Sequence, residues 1–469
     1  MDTEFLKISK ESQWFESKYK PELELKGELS EDIVKTISEI KEEPEWMLKN
    51  RIDGLKAFRK LDIPDWGPEI NIDFNNLIYY ALPTIYPKPV KWEELPGFIR
   101  ETYRRLGLTK EYIEKYLGGA VLQFDSSPIY EKINKYLDSL GVVFTSLDTA
   151  IKEYPELVKK YFGKVISPYE NKFAALNTAV WSGGVFIYVP KGIEVDIPLH
   201  AYFRINLENV GQFERTLIIV EEGAKVSYVE GCSAPIYSTG SLHAAVVEAY
   251  VHKGGELNYY TIQNWSKNVY NLVTKRGYGE GNNIIRWVSL ELGSKVTMLY
   301  PSLVLNDNSI GEIYSLSYAT DGQILDTGGR LFIKGKNVRA TIVSKGISIG
   351  EKTEAKSVNR TDVKIFKGAE NSYVKSSCES LLIGKGIAES IPRFEVYEDK
   401  TYYNHEAKME IIDKEKLFYL KSKGISEKEA LKLAVFGFFE DVTEKLPDIY
   451  RLEIKRLLDI ELEKYGGIG

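Results

Sequence analysis

The sequence predicts a mainly β protein with helical ends. Residues 166–412 hold a long series of short β-branched and aromatic runs closed by turn residues, with no helical pattern between them. Residues 1–165 and 413–469 instead place apolar side chains at helical spacing. At 469 residues the chain is too long for one ordinary core, and its 43% hydrophobic content can bury a large one.

In the first region Pro44 precedes a run in which Leu48, Ile52 and Leu55 share one helical face. Pro64, Pro68, Pro83, Pro87 and Pro89 then interrupt regular structure, and helical patterns resume near 92–106, 110–117 and 155–162. In the second region, 185–189, 216–220 and 244–247 typify the strands. A unit of strand, glycine turn and strand recurs at Gly223, Gly254, Gly281, Gly293, Gly322, Gly335, Gly368 and Gly384, but at irregular spacing, so no strict repeat is read. The pattern alone allows a barrel, a sandwich or a β-helix. In the third region Asp413 can cap a helix reaching Leu420, with Gly424 at its stop. Ser426 and Glu429 then form a capping-box pattern, and Pro447 separates that helix from a last one over 448–465. The apolar segment Val435-Phe436-Gly437-Phe438-Phe439 reads either as packing onto the strand region or as a docking face for a partner.

Net charge is −6, from 62 basic and 68 acidic residues, which argues against a general nucleic-acid binder. Two cysteines exclude a disulfide framework and fit a reducing compartment. The start Met1-Asp2-Thr3-Glu4-Phe5 lacks the features of a signal peptide, and no apolar run is long enough to span a bilayer. The expectation is a cytoplasmic protein that binds neither nucleic acid nor membrane. Gly335-Lys336 and Gly384-Lys385 lack the flanking residues of a phosphate loop, so the chain is not expected to hydrolyse ATP. There is no Cys-x-x-Cys pair, Gly-x-Ser-x-Gly elbow or His-Glu-x-x-His helix.

The metal-binding side-chain types concentrate late in the chain. Cys378 lies in Ser377-Cys378-Glu379-Ser380-Leu381-Leu382-Ile383-Gly384, and Asn404-His405-Glu406 follows, Glu406 being 28 positions on. A thiol, an imidazole and a carboxylate are the ligands of soft and borderline metals. Taken singly, Cys378 reads as a buried inert cysteine, His405 and Glu406 as a surface pair, and Cys232 as a small residue in a tight corner. His243 and His252 flank a strand run at an odd separation, which puts them on opposite faces and argues against a metal pair.

The stretches Ser182-Gly183-Gly184-Val185-Phe186, Tyr202-Phe203-Arg204-Ile205-Asn206, Glu230-Gly231-Cys232-Ser233-Ala234-Pro235 and Thr261-Ile262-Gln263-Asn264-Trp265 change that reading. With Val273-Thr274-Lys275-Arg276, the Cys378 segment and His405-Glu406-Ala407, they closely resemble the SufB/SufD family of the SUF iron–sulfur cluster assembly system. Cys378, Glu406 and the Cys232 segment together resemble its SufB branch rather than its SufD branch. The resemblance implies a right-handed parallel β-helix core over 166–412. It sets that core between an N-terminal helical domain, 1–165, with a proline-rich segment, and a C-terminal helical domain, 413–469. It implies a non-catalytic scaffold that accepts sulfur and iron, builds a transient cluster of 4Fe–4S type at a dimer interface and passes it to apo iron–sulfur proteins. The implied partners are a SufC-type ATPase on the C-terminal helices, a SufD-type subunit or a second copy of the chain, and a cysteine desulfurase system; the resemblance leaves open a reduced flavin in the complex. Carried over residue by residue, Cys232 receives sulfur, and Arg204, Asn206, Gln263, Trp265 and Lys275 line the route through the β-helix. Cys378, Glu406 and His405 ligate the cluster. Asn404 stands where many relatives carry an acidic residue. The alternatives are a SufD-like structural partner without a cluster of its own, and a carbohydrate-active β-helix enzyme.

Overall fold

The computed structural model describes residues 19–83, 89–106, 108–235, 240–412, 414–446 and 448–463. The expectations placed on Met1–Phe5, Pro87, Asp413 and Pro447 lie outside those residues. The chain is 43% strand, wound into a β-solenoid of about eight turns with helices at both ends. One side of the solenoid is a parallel stack of Leu199–Arg204, Lys225–Ser233, Glu256–Asn264, Ile284–Leu292 and Ile310–Thr320. It continues through the first parts of Arg339–Ile365 and Tyr373–Val396 and ends in Tyr402–Ile412. The facing side stacks Val185–Val189, Arg215–Val220, Val246–Val251, the end of Val269–Gly279 and Ser302–Leu305. Short strands such as Ser241–His243 and Val296–Leu299 make the third side. The strand expected across 244–247 is therefore interrupted, because Ala244 and Ala245 turn a corner.

The repeat that the glycines only hinted at is a corner held in the left-handed region. Gly223 (φ +69°), Gly254 (+73°), Asn282 (+50°), Asn308 (+58°), Asn337 (+57°) and Asn371 (+57°) occupy it in successive turns. Each stacks on the next, the N–H of Gly223 donating to Lys253 O, that of Asn308 to Lys336 O and that of Asn337 to Glu370 O. Glycine and asparagine are the residues that tolerate this conformation. The column changes from one to the other part-way, and the turns differ in length: Ile284 pairs with Ile310 but Arg339 with Tyr373. Both effects hide the period from a search for spaced glycines.

Side chains alternate along each strand, so ladder partners form columns that point either in or out. The inward columns nearest the strand starts are apolar: Val226, Leu257, Ile285, then Tyr228, Tyr259, Trp287, Ile313, Ile342. Tyr259 and Trp287 stack at 4.2 Å between ring centres. Burying each such side chain contributes about 1.5–3 kcal/mol.

The outward residues of the same strands, among them Tyr260, Leu290, Leu316 and Ile347, are covered by Leu431, Val435 and Phe439 of the helix Glu427–Thr443. Ser426 caps that helix in the reciprocal box with Glu429. The apolar segment Val435–Phe439 thus spends its buried side chains on the solenoid. The large apolar groups left exposed on the C-terminal helices are Phe418, Tyr419 and Leu433, with Leu452. At the other end, the helix Glu45–Lys60 packs on Lys172–Val180, with Leu55 buried and Leu48 and Ile52 against the same cluster. A Cβ at Gly54 would meet Ala179 N at 2.7 Å, so the two helices approach this closely only through glycine.

Five strands fall in the region expected to be helical: Leu23–Lys26, Ile78–Leu82, Gly119–Phe124, Ser127–Ile133 and Val143–Ser146. Gly119–Phe124 pairs in parallel with Leu199–Arg204 and antiparallel with Ser127–Ile133, closing the start of the solenoid. Both sides of Gly119–Phe124 are buried, so it lacks the alternation that marks a strand in sequence. At the far end Tyr402–Ile412 pairs only with 373–383 among the described residues, leaving an open edge.

The corner makes a prediction. Asn371 is exposed and makes no side-chain hydrogen bond that would confuse the result. Asn371→Ala should lower unfolding free energy in urea by about 1 kcal/mol, whereas Asn371→Gly should be neutral or slightly stabilising.

Candidate functional site

Cys232 ends the strand Lys225–Ser233 with its thiol inside the solenoid, 1% exposed. Gln263, its partner on the next turn, donates from Nε2 to Cys232 Sγ at 3.2 Å and to Thr261 Oγ1 at 2.7 Å. Trp265 Nε1 donates to Gln263 Oε1 at 2.9 Å, which fixes the amide that faces the sulfur. Two residues before Cys232, Glu230 shares its inward face and accepts from Lys275 Nζ at 3.0 Å; Lys275 also donates to the Tyr259 hydroxyl at 3.1 Å. Both members of this ion pair are buried, so each compensates the desolvation of the other. Burial pushes the Cys232 thiol well above its ordinary range, and Glu230 and Glu214 push the same way. Lys275 and the Gln263 hydrogen bond oppose them.

Sequence reasoning missed the groups behind this cluster. The His243 ring lies tilted against Trp265 at 4.5 Å between ring centres, its Nδ1 is 2.7 Å from Asn271 Oδ1, and its Nε2 is 2.9 Å from Glu214 Oε2. Asn271 Nδ2 donates to Glu291 Oε2 at 3.0 Å. Burial raises the Glu291 carboxyl to about 8, and its Oε1 is a buried oxygen without a hydrogen-bond partner. The available signal was the two-residue period: Glu230 and Glu291 both fall on inward positions once Cys232 and Gln263 do.

Two inward columns run from this cluster towards the far end. One is Glu230, Thr261, Ser289, Ser315, Ser344 and Cys378; its neighbour is Cys232, Gln263, Glu291, Ser317, Gly346 and Ser380. Every side chain in them is buried, and the hydroxyls of Ser289, Ser315 and Ser317 find no partner. Five ladder steps of about 4.8 Å separate the turns of Cys232 and Cys378, about 24 Å in all. Both thiols are free.

Cys378 is also 1% exposed. Its Sγ lies 4.0 Å from Thr361 Oγ1 and 3.8 Å from Asn359 O, and burial raises its pKa against the Ser390 and Thr361 hydroxyls, which lower it. The last turn separates the expected ligands. Ser376 pairs with His405, so His405 is on Cys378's inward face, with Nδ1 2.7 Å from Ser376 Oγ. Glu406 pairs with Ser377 and faces outward beside Asn404, whose Nδ2 donates to Glu406 Oε1 at 2.9 Å. Burial lowers the His405 pKa, favouring the neutral imidazole that can ligate, while Glu406 acts to raise it. Among the described residues no three His, Cys, Asp or Glu side chains converge on one metal position.

Of the five residues expected along the route, Gln263, Trp265 and Lys275 are inside. Arg204 pairs with Ser233, donates to its Oγ at 2.9 Å, and so projects from the face opposite Cys232, beneath the N-terminal layer. Asn206 is beside it, its N–H donating to Asp125 Oδ1 at 2.6 Å. A cleft of about 660 Å³ lies between Leu61–Trp66 and the solenoid. Its arginines are already paired, Arg276 with Glu170, Arg330 with Asp362 and Arg360 with Asp326, and Arg393 with Glu395.

Residues 203–438 match the family model described as "SUF system FeS cluster assembly, SufBD core domain", and residues 127–201 match the SufBD protein N-terminal region. The chain belongs to the SufBD family. Iron-sulfur cluster assembly SufBD family proteins of Staphylococcus epidermidis and Staphylococcus aureus are each 46% identical over 94% of both chains. That of Staphylococcus saprophyticus is 47% identical over the same share. A role in iron–sulfur cluster assembly follows from membership. No helix among the described residues of this SufBD protein is long and apolar enough to cross a membrane.

The buried carboxyl gives a pH prediction. Glu291 has a folded pKa of about 8 against an ordinary value of 4.5, so the folded state holds a proton that the unfolded state has lost. Stability should therefore fall as pH rises from about 4.5 to about 8. Glu291→Gln should flatten that slope and be the more stable protein at pH 8, as read by urea unfolding at pH 5 and pH 8.

Proposed function

We propose that this SufBD protein is a SufB-type scaffold on which an iron–sulfur cluster is built. The observation that carries the reading is the pair of buried polar columns joining the chain's two cysteines. A solenoid core needs no hydroxyls without partners, and each costs about 1–3 kcal/mol. Their alignment between two thiols argues for a route, not a defect.

In this reading Cys232 receives sulfane sulfur from a cysteine desulfurase system and holds it as a persulfide. The Lys275 ammonium offsets anionic sulfur, while Gln263 orients it from 3.2 Å. No third cysteine exists to pass sulfur thiol to thiol, so it travels the columns as a small sulfur species. Freeing sulfide from a persulfide consumes two electrons and two protons. The electrons come from a donor outside these columns, a role that reduced flavin elsewhere in the assembled complex would fit. At the far end Cys378 and His405 hold the nascent cluster, of 4Fe–4S type, as cargo. One chain offers two ligands on that face, so the rest come across an interface. The open edge Tyr402–Ile412, flanked by exposed Phe394, Tyr397, Met409 and Ile411, is the proposed junction with a SufD-type subunit or a second copy. Glu406, facing outward on that last turn, would ligate from there. Mixed thiolate, imidazole and carboxylate ligation suits a cluster that must leave for apo-proteins. The exposed Phe418, Tyr419 and Leu433 are the proposed seat of a SufC-type ATPase, which would carry all ATP hydrolysis.

Anaerobic reconstitution with iron and sulfide tests this. Cys378→Ser should bind iron at least about tenfold more weakly than the parent. Cys232→Ser should reconstitute normally from sulfide yet fail when a desulfurase is the sulfur source. A parent chain that takes up no iron would instead mark a SufD-like structural partner.

A further inference from the structure

Cys378 is sealed by its own turn, and one side chain on the outside of that turn ties it to the C-terminal domain. Lys345 follows Ser344, the ladder partner of Cys378, and is itself paired with Glu379, the residue after Cys378. Lys345 points outward and is nearly buried. Its Nζ donates to Asp441 Oδ1 at 2.8 Å and Phe438 O at 3.1 Å, both on the helix Glu427–Thr443, and lies 3.2 Å from Glu379 Oε2. The Phe438 ring covers it at 5.1 Å. Around this tie the packing thins to a groove of about 700 Å³, lined by Lys408, Glu410, Leu433, Gly437 and Glu444. A Cβ at Gly437 would touch nothing within 4 Å. The helix therefore lies against the solenoid through an apolar cluster that extends to Leu381 and Ile383 of the Cys378 strand, and adds a buried cation as a polar tie at that turn.

We propose that Lys345 is the positioning residue that keeps the Cys378 turn closed and couples it to the helix Glu427–Thr443. Two contacts from one buried ammonium hold helix and strand at fixed separation, and a third joins the strand to its neighbour through Glu379. Losing them leaves Glu379 facing the groove without its cation and frees the last two turns to fray from the open edge. The importance of the coupling rests on Cys378 being the working thiol, but its existence does not.

Alkylation of the iron-free, reduced full chain by iodoacetamide, followed peptide by peptide by mass spectrometry, tests it with Cys232 as the internal control. Lys345→Met should speed modification of Cys378 by about tenfold, as expected where local opening governs access, and leave Cys232 unchanged. Asp441→Asn, at an exposed carboxylate, should give a smaller rise at Cys378 alone and serves if Lys345→Met does not fold. Lys345→Arg should restore the slow rate. The proposal is overturned if Cys378 is no faster in either variant, or if both cysteines accelerate together, since that is general loosening. Because no iron is present, failure here leaves cluster binding by Cys378 untouched, and failure of reconstitution leaves the coupling untouched.

Discussion

Everything distinctive in this molecule depends on the register of one parallel ladder. Each strand of the long face pairs residue for residue with the next from 225 to 412, with the same parity throughout. A slip of one residue in any turn would send its inward polar groups out and its outward apolar groups in. The register is defended from both sides. Inside, the Tyr228, Tyr259 and Trp287 column fills the core; outside, Val435, Phe439 and Leu431 seat on the other parity. The left-handed corner of glycines and asparagines fixes where each turn restarts.

That ladder lets a polar line run through a core without unravelling it. The apolar columns at the strand starts and the helix-covered outer columns supply the burial, while the inner ends of the same strands carry Glu230, Thr261, Gln263, Ser289 and Glu291. Lys275 is the cation of that line at the Cys232 end. Removing it would leave Glu230 charged and uncompensated, a cost of about 3–5 kcal/mol. The ion pair is therefore specific to its place: it tolerates a charged group beside a thiol whose own ionisation burial opposes.

Much of this was legible in the sequence, and the failures have physical causes. The strand region and the capping box at Ser426 followed from local pattern, whereas the residues around Cys232 came only from the family resemblance. Val435–Phe439 admitted two readings because apolarity does not say which surface covers it; the structure turns Val435 and Phe439 onto the solenoid and leaves Phe418 and Leu433 outside. Gly119–Phe124 escaped notice because burial on both sides erases alternation. The adjacency of His405 and Glu406 carried more information than was drawn from it. On a strand, neighbours point apart, so only one of them can share the face of Cys378, and the ladder decides for His405. Arg204 and Cys232 are likewise on opposite faces, which only the pairing of Arg204 with Ser233 reveals.

Under the proposed function, the same geometry constrains how sulfur would move. Two thiols about 24 Å apart, with no third between them, cannot exchange sulfur by direct attack. Both are also buried and hard to ionise, so neither holds a free thiolate at neutral pH without help. What lies between is a line of neutral hydroxyls and amides, with Glu291 protonated up to about pH 8. Such a line can donate hydrogen bonds to a small anion at successive steps without trapping it at a fixed positive charge. Under the proposed reading the fixed cation, Lys275 beside Cys232, stands where sulfur is loaded, and the neutral donors stand along the columns beyond it. Under that reading, charge at the start holds the anionic sulfur where it is loaded, and the uncharged donors beyond bind it more weakly once it is released.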